Sequence, residues 1–116
     1  MRLSVRRSLP ALFLAGLGLG LWSCGESLGP NGEQLVTVEN NDFDPGSKAI
    51  SVGQTVLWQW AAGSAGHNVT WVNQSGTGNS ATQSTGTYSR TFDTAGTYDY
   101  YCTIHGLSMS GSVVVH

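Results

Sequence analysis

The segment YYCTIHGLSMSG, residues 100–111, gathers a thiol (Cys102), an imidazole (His105) and a thioether (Met109) in a chain with two cysteines, three histidines and two methionines. Their spacing is C-x2-H-x3-M. Thiolate, imidazole and thioether are soft or borderline donors, a set that selects copper over magnesium, calcium or manganese. One more imidazole would complete a trigonal site of one Cys and two His with a weak axial Met. Of the two remaining histidines, His116 is the last residue, an end expected to fray. His67 follows the turn AAGSAG and opens an extended run, from which a loop can lay it beside Cys102.

Two other readings compete for the thiol. A Cys24–Cys102 disulfide would staple the domain, and DTAGTYDYYC looks superficially like the run before the second cysteine of an immunoglobulin variable domain. That framework needs a Cys…Trp…Cys spacing, which is absent, and Cys24 lies in no extended run. Nucleophilic catalysis by Cys102 with His105 as base lacks a third group to orient the imidazole. Taken singly, His67 reads as a loop residue and Met109 as core filler. Taken together, three scarce donors at one strand end and a fourth after another favour the metal.

The elements that must position these residues are strands. QLVTVEN, KAISVG, TVLWQW, NVTWVN, TYSRTFD, TYDYYC and GSVVVH alternate apolar and polar residues and are rich in Val, Thr, Tyr and Trp. DPGS, VGQ, AAGSAG and DTAG punctuate them with turn chemistry. About seven strands without crossover helices predict an all-β, two-sheet antiparallel Greek-key sandwich. Tyr98, Tyr100 and Cys102 share one face of their strand, which points the thiol inward and Tyr101 outward. Residues 74–87, QSGTGNSATQSTGT, read as a long mobile loop with room for a short edge strand.

The N-terminus is read apart from this domain. Arg2, Arg6 and Arg7 precede an uncharged run, Leu9 to Trp22, that is short for a membrane span of roughly 20 residues and fits an export signal. Leu21-Trp22-Ser23-Cys24 is similar to a bacterial lipobox, which makes Cys24 a candidate for lipidation. The division is a signal peptide at 1–23, a flexible tether at 24–33 and one domain at 34–116. Beyond residue 23 the chain keeps two cations, Lys48 and Arg90, against seven carboxylates, a net charge of −5. So few cations exclude nucleic acid, whose binding rests on Lys and Arg neutralising phosphates, and point to a basic protein partner.

NDFDPGSKAISVGQTVLWQW, HNV and GTYDYYCTIHGLSMSGSVVV together resemble the plastocyanin-like cupredoxins over nearly all of residues 34–116. The resemblance implies one type 1 copper ion ligated by His67, Cys102, His105 and Met109, with Asn68 pinning the two ligand segments by hydrogen bonding. The export signal puts the domain outside the cytoplasm, and the resemblance implies a monomer that is not an enzyme. Such a carrier passes single electrons between transient redox partners, such as a c-type cytochrome or a membrane oxidase or reductase. His105 is its expected electron port within an apolar rim that includes Leu107, and Tyr101 offers a second route. Ile104 stands where the family often has Pro. The rival function is a copper-binding or chaperone module without redox turnover; it would need exposed, exchangeable ligands such as a Met/His-rich tail, and the sequence shows none.

Overall fold

A computed structural model describes residues 28–73 and 78–116; residues 1–23, read above as an export signal, and Cys24 lie outside them. The elements are β1 (Gln34–Glu39), β2 (Asp42–Asp44), β3 (Ser47–Ile50), β4 (Thr55–Trp60), β5 (Thr70–Trp71), β6 (Thr87–Thr91), β7 (Gly96–Cys102) and β8 (Gly106–Val115), with no helix among the described residues. They form two four-stranded sheets, β2-β1-β4-β6 and β3-β8-β7-β5. The chain crosses between the sheets after β2, β3, β4, β5 and β6, the interleaving expected of a Greek-key sandwich.

The sheets are mixed rather than wholly antiparallel: β1 pairs parallel with β4, and β3 with β8. The reason is topological. The chain leaves the first sheet after the β1–β2 hairpin, makes β3 in the second sheet, and returns as β4 running in the direction of β1. Period-2 patterning marks which face of a strand is buried and says nothing about the direction of its neighbour. β2 was not among the seven runs because Phe43 alone supplies its inward side chain.

Alternation explains the core. Val36 and Val38 of β1, Val56, Trp58 and Trp60 of β4, Tyr100 and Cys102 of β7, and Val113 and Val115 of β8 are all buried. Trp58 sits at the centre with ring centroids 5.6 Å from Trp71 and 5.4 Å from Tyr100, both edge to face. Each buried ring removes roughly 150–250 Å² from water, an upper-bound gain of about 4–6 kcal/mol. Exposed ion pairs at about 0–1 kcal/mol cannot compete with that, so the aromatics set the spacing between the sheets.

Residues 28–33, read above as the end of a flexible tether, form a hydrogen-bonded turn instead. Gly29 N donates to Glu33 O at 2.7 Å, Leu28 bridges to Gln34, and a Cβ on Gly29 would lie 2.9 Å from the Leu57 side chain. Leu57 points away from the sandwich interior, and this turn covers it. His116 is also held: its N–H donates to Ile50 O at 3.0 Å and its carbonyl accepts from Val52 N at 3.1 Å, so the expected fraying does not occur at its backbone.

Gly111 tests the packing directly. A Cβ there would meet the Tyr100 ring and hydroxyl at 2.6 Å and the Gly46 carbonyl at 3.0 Å. Tyr100 cannot withdraw, because Phe43, Trp58 and Trp71 hold it edge-on. Gly111→Ala is therefore expected to cost about 1–3 kcal/mol and to lower the melting temperature by several degrees or more in a thermal melt.

Candidate metal centre

The site lies at the end of the sandwich where β4 finishes and β7 turns into β8. After Trp60 the chain makes the turn 61–66, fastened to the β1–β2 hairpin: Ala61 N and Ser64 Oγ donate to Val38 O at 2.9 and 3.1 Å, and Ala65 N donates to Asn40 Oδ1 at 2.9 Å. His67 emerges from this turn fully buried. Its N–H and C=O pair with the carbonyl and N–H of Gln83, each at 3.0 Å.

Cys102 ends β7, buried, with its thiol free of any disulfide. The turn Thr103–His105 follows, closed by Gly106 at φ 68°, a left-handed conformation that strains any residue with a Cβ. The register of β7 with β8 then explains Met109. Tyr101 faces Ser110 and Cys102 faces Gly106, so Leu107, Ser108 and Met109 have no opposite number on β7. That bulge turns Met109 into the core, where it is buried. Met109 thus sits on β8.

The geometry of the donors is specific. Cys102 Sγ lies 3.9 Å from His67 Nδ1. One metal ion bonded to both, at about 2.0 Å to nitrogen and 2.3 Å to sulfur, spans up to about 4.3 Å, so the pair is spaced for a shared ion. His105 is exposed and lies beside this pair, its ring centroid 5.1 Å from that of His67. Among the described residues no three His, Cys, Asp or Glu side chains close on one point. The donors that do meet are therefore soft and borderline, without a carboxylate. His67 Nε2 is buried and makes no hydrogen bond.

Burial holds the His67 pKa below the ordinary histidine value, and the neighbouring His105 charge lowers it further. The unfolded chain therefore takes up a proton at His67 more readily than the fold does. Neutral His67 contributes its full stability above about pH 6.5, and that contribution drains away as pH falls below it. Metal-free protein should melt at progressively lower temperature below about pH 6.5, and His67→Gln should flatten that dependence.

Asn68 ties three segments together. Its Nδ2 donates to Thr82 Oγ1 at 2.9 Å and to Thr103 Oγ1 at 2.8 Å; its Oδ1 accepts from Thr103 N at 3.0 Å and from Thr70 Oγ1 at 2.9 Å. Every polar group of this amide is satisfied, which fixes Cys102 relative to His67 through the residue after each.

The stretch read as a mobile loop proves to be part of this frame over residues 78–86. Ser80 N donates to Val69 O and Ser80 Oγ accepts from Val69 N, at 2.9 and 2.7 Å, while Asn79 Oδ1 accepts from Trp71 N at 3.0 Å. Side chains here replace strand hydrogen bonds, so Ser, Thr and Asn composition, normally a mark of loops, misdirects. Thr82 and Gln83 carried no signal in the sequence.

Of the other surface candidates, Leu107 is 73% exposed and Ile104 56% exposed, flanking His105. Tyr101 is half-buried on the outer face of β7.

Residues 32–116 match the model of the copper-binding proteins of the plastocyanin/azurin family. The chain is 37% identical over 84 residues to a plastocyanin of Scenedesmus fuscus, covering 63% of this chain and 85% of that one. It is 34% identical over 77 residues to a halocyanin of Natronomonas pharaonis, covering 63% of this chain but 47% of the halocyanin, about half its length. Among solved structures, a reduced amicyanin variant superposes with a TM-score of 0.62 at 32% identity, covering 76% of this chain and 86% of that one. A purple cupredoxin from Nitrosopumilus maritimus gives 0.61 at 25% identity, covering 71% of this chain and 98% of that one.

Proposed function

The chain belongs to the plastocyanin/azurin family of copper-binding electron carriers, and from that premise we propose that it shuttles single electrons between redox proteins outside the cytoplasm. His67, Cys102, His105 and Met109 are its copper ligands in this reading, and Asn68 fixes their relative placement. The observation that carries the proposal is the buried His67–Cys102 pair, whose donor atoms stand 3.9 Å apart. The bound metal supplies the one-electron couple, alternating between Cu(I) and Cu(II).

The residues of the chain do the rest. The two-sheet frame holds His67 and Cys102 in one arrangement, which limits reorganisation when the charge changes. Met109 offers a weak thioether donor that tunes the potential. Met109→Leu should retain the metal and raise the potential in cyclic voltammetry, because the higher oxidation state loses more from a missing donor.

His105 is the port through which electrons enter and leave. Its ring is exposed, and Ile104 and Leu107 surround it with apolar surface suited to brief docking. At this end of the sandwich the β1–β2 hairpin presents Glu39 and Asp42, while Lys48 and Arg90 lie further down the sheets, paired with Val113 and Val56. A basic partner such as a c-type cytochrome would be steered to that end. Tyr101, beside Cys102, offers a second route. A membrane oxidase or reductase is a further partner class, and lipidation at Cys24 would hold the domain near it.

One observation favours the rival reading, a metal carrier without redox work: His105 is exposed, as an exchangeable ligand would be. Adding one equivalent of Cu(II) and recording absorption and electron paramagnetic resonance spectra separates the two. Electron transfer requires an intense thiolate-to-copper band, a reversible couple and retention of copper against a chelator. A colourless complex that yields its copper quickly would establish the rival.

A further inference from the structure

Behind the thiol strand lies a run of oxidisable rings that the docking end does not use. Tyr100, two residues before Cys102 on the same face of β7, touches Trp58 at 5.4 Å between ring centroids, and Trp58 touches Tyr88 at 5.5 Å. Tyr88 reaches the lateral seam where β6 of one sheet meets β5 of the other. Its hydroxyl donates to the Gly78 carbonyl at 2.6 Å and accepts from Trp71 Nε1 at 3.1 Å. These separations are those of rings in contact. Electron tunnelling decays steeply with distance, so touching rings divide one long step into short ones.

We propose that Tyr88, Trp58 and Tyr100 form a redox relay that carries an oxidising equivalent from the lateral seam to Cys102, so that the reduced domain quenches organic radicals far from its docking end. The proposal rests on the copper reading above. Its steps balance. A phenoxyl or peroxyl radical takes a hydrogen atom from Tyr88 and becomes a phenol or hydroperoxide, leaving a tyrosyl radical. An electron from the reduced centre then returns through Cys102, Tyr100 and Trp58, and solvent supplies the proton that restores the Tyr88 hydroxyl. The centre is left oxidised, and its ordinary electron donor resets it.

Hydrogen bonding and burial assign each ring its part. Tyr88 has an acceptor and reaches solvent, so it can lose and regain a proton. Trp58 is fully buried, away from any base in solvent, so an oxidised Trp58 keeps its proton and remains a strong oxidant that passes the vacancy on. Tyr100 is buried between Trp58 and Cys102, in edge-to-face contact with the first and two residues before the second on the same face of β7, and so bridges them. Trp71 also touches Tyr100, at 5.3 Å. The Arg90 guanidinium lies 4.4 Å over the Trp71 ring, and a cation there opposes positive charge on that indole. The relay therefore runs through Trp58 in preference to Trp71.

The test places a photo-oxidant at the seam. Gly78→Cys opens into free space and adjoins the Tyr88 hydroxyl, so a thiol-linked ruthenium complex can be attached there to copper-loaded, reduced protein. After a laser flash, tyrosyl absorption should decay as the copper–thiolate band grows, at a rate independent of protein concentration. Trp58→Phe should slow that growth roughly tenfold or more, whereas Tyr98→Phe, outside the three rings, should leave it unchanged. An unchanged rate in Trp58→Phe overturns the relay, as does an equal slowing in Tyr98→Phe. Tyr88→Phe gives the same answer where Trp58→Phe does not fold: the tyrosyl signal must vanish and the copper band must grow more slowly. In protein loaded with redox-inert zinc, the flash should leave a long-lived tyrosyl radical in paramagnetic resonance, lost in Tyr88→Phe. Absence of any copper–thiolate band would overturn the copper reading itself, whereas a normal band with a Trp58-independent rate overturns only the relay.

Discussion

Cys102→Ser is expected to abolish the thiolate-to-copper absorption band while leaving the sandwich folded. The band requires sulfur to donate an electron to the metal, and a serine oxygen is a harder donor with no equivalent transition. Removing groups outside the ligand set commonly costs 10–100-fold in metal affinity, so losing the thiolate should exceed about 100-fold. Cys102 is fully buried, and an unpaired hydroxyl in its place costs about 1–3 kcal/mol. A circular dichroism melt shifted by only that amount, together with a colourless copper titration, is the expected pair of results. A variant that keeps the intense band would remove Cys102 from the ligand set.

Asn68→Ala should produce the largest change among residues outside the donors. The amide makes four hydrogen bonds, joining the strand after His67 to Thr103 after Cys102 and to Thr82 of the segment 78–86. Each is worth about 0.5–1.5 kcal/mol, and water that enters beside exposed Thr82 recovers part, so the expected loss is about 2–4 kcal/mol. For a domain of this size that lowers the melting temperature by roughly 10–25 °C. Metal affinity should fall about 10–100-fold, with the absorption band retained. Thr82→Val removes one of the four bonds and should cost about 1 kcal/mol. A melt of Asn68→Ala within 1 kcal/mol of the parent would mean that the two segments are held together by the core alone.

Both variants show how much of the site could be read in advance. The strands were legible because alternation survives wherever one face is buried: β1, β4 and β7 fall where Val, Trp and Tyr recur at every second position. β2 is barely visible because it has one buried apolar side chain, and a period needs two. Residues 78–86 misled for a chemical reason. Their Ser, Thr and Asn side chains make the bonds that backbone groups make in a strand, and no periodicity records that. The bulge at Leu107–Met109 was hidden too, since it is defined by what β7 lacks opposite it.

By itself, the sequence determined the donor types, the inward direction of Cys102 and the all-β character, because ligand chemistry and period-2 burial are local properties of a chain. The tertiary structure alone decided the 3.9 Å spacing of His67 and Cys102, the four hydrogen bonds that Asn68 makes between the segments, the mixed strand directions and the exposed placement of His105. Those are relations between residues far apart in the chain, 35 positions for the His67–Cys102 and Asn68–Thr103 contacts and 65 for Ser47 and Ser112 of β3 and β8. They arise only when the aromatic core sets two sheets at one distance and brings their ends together.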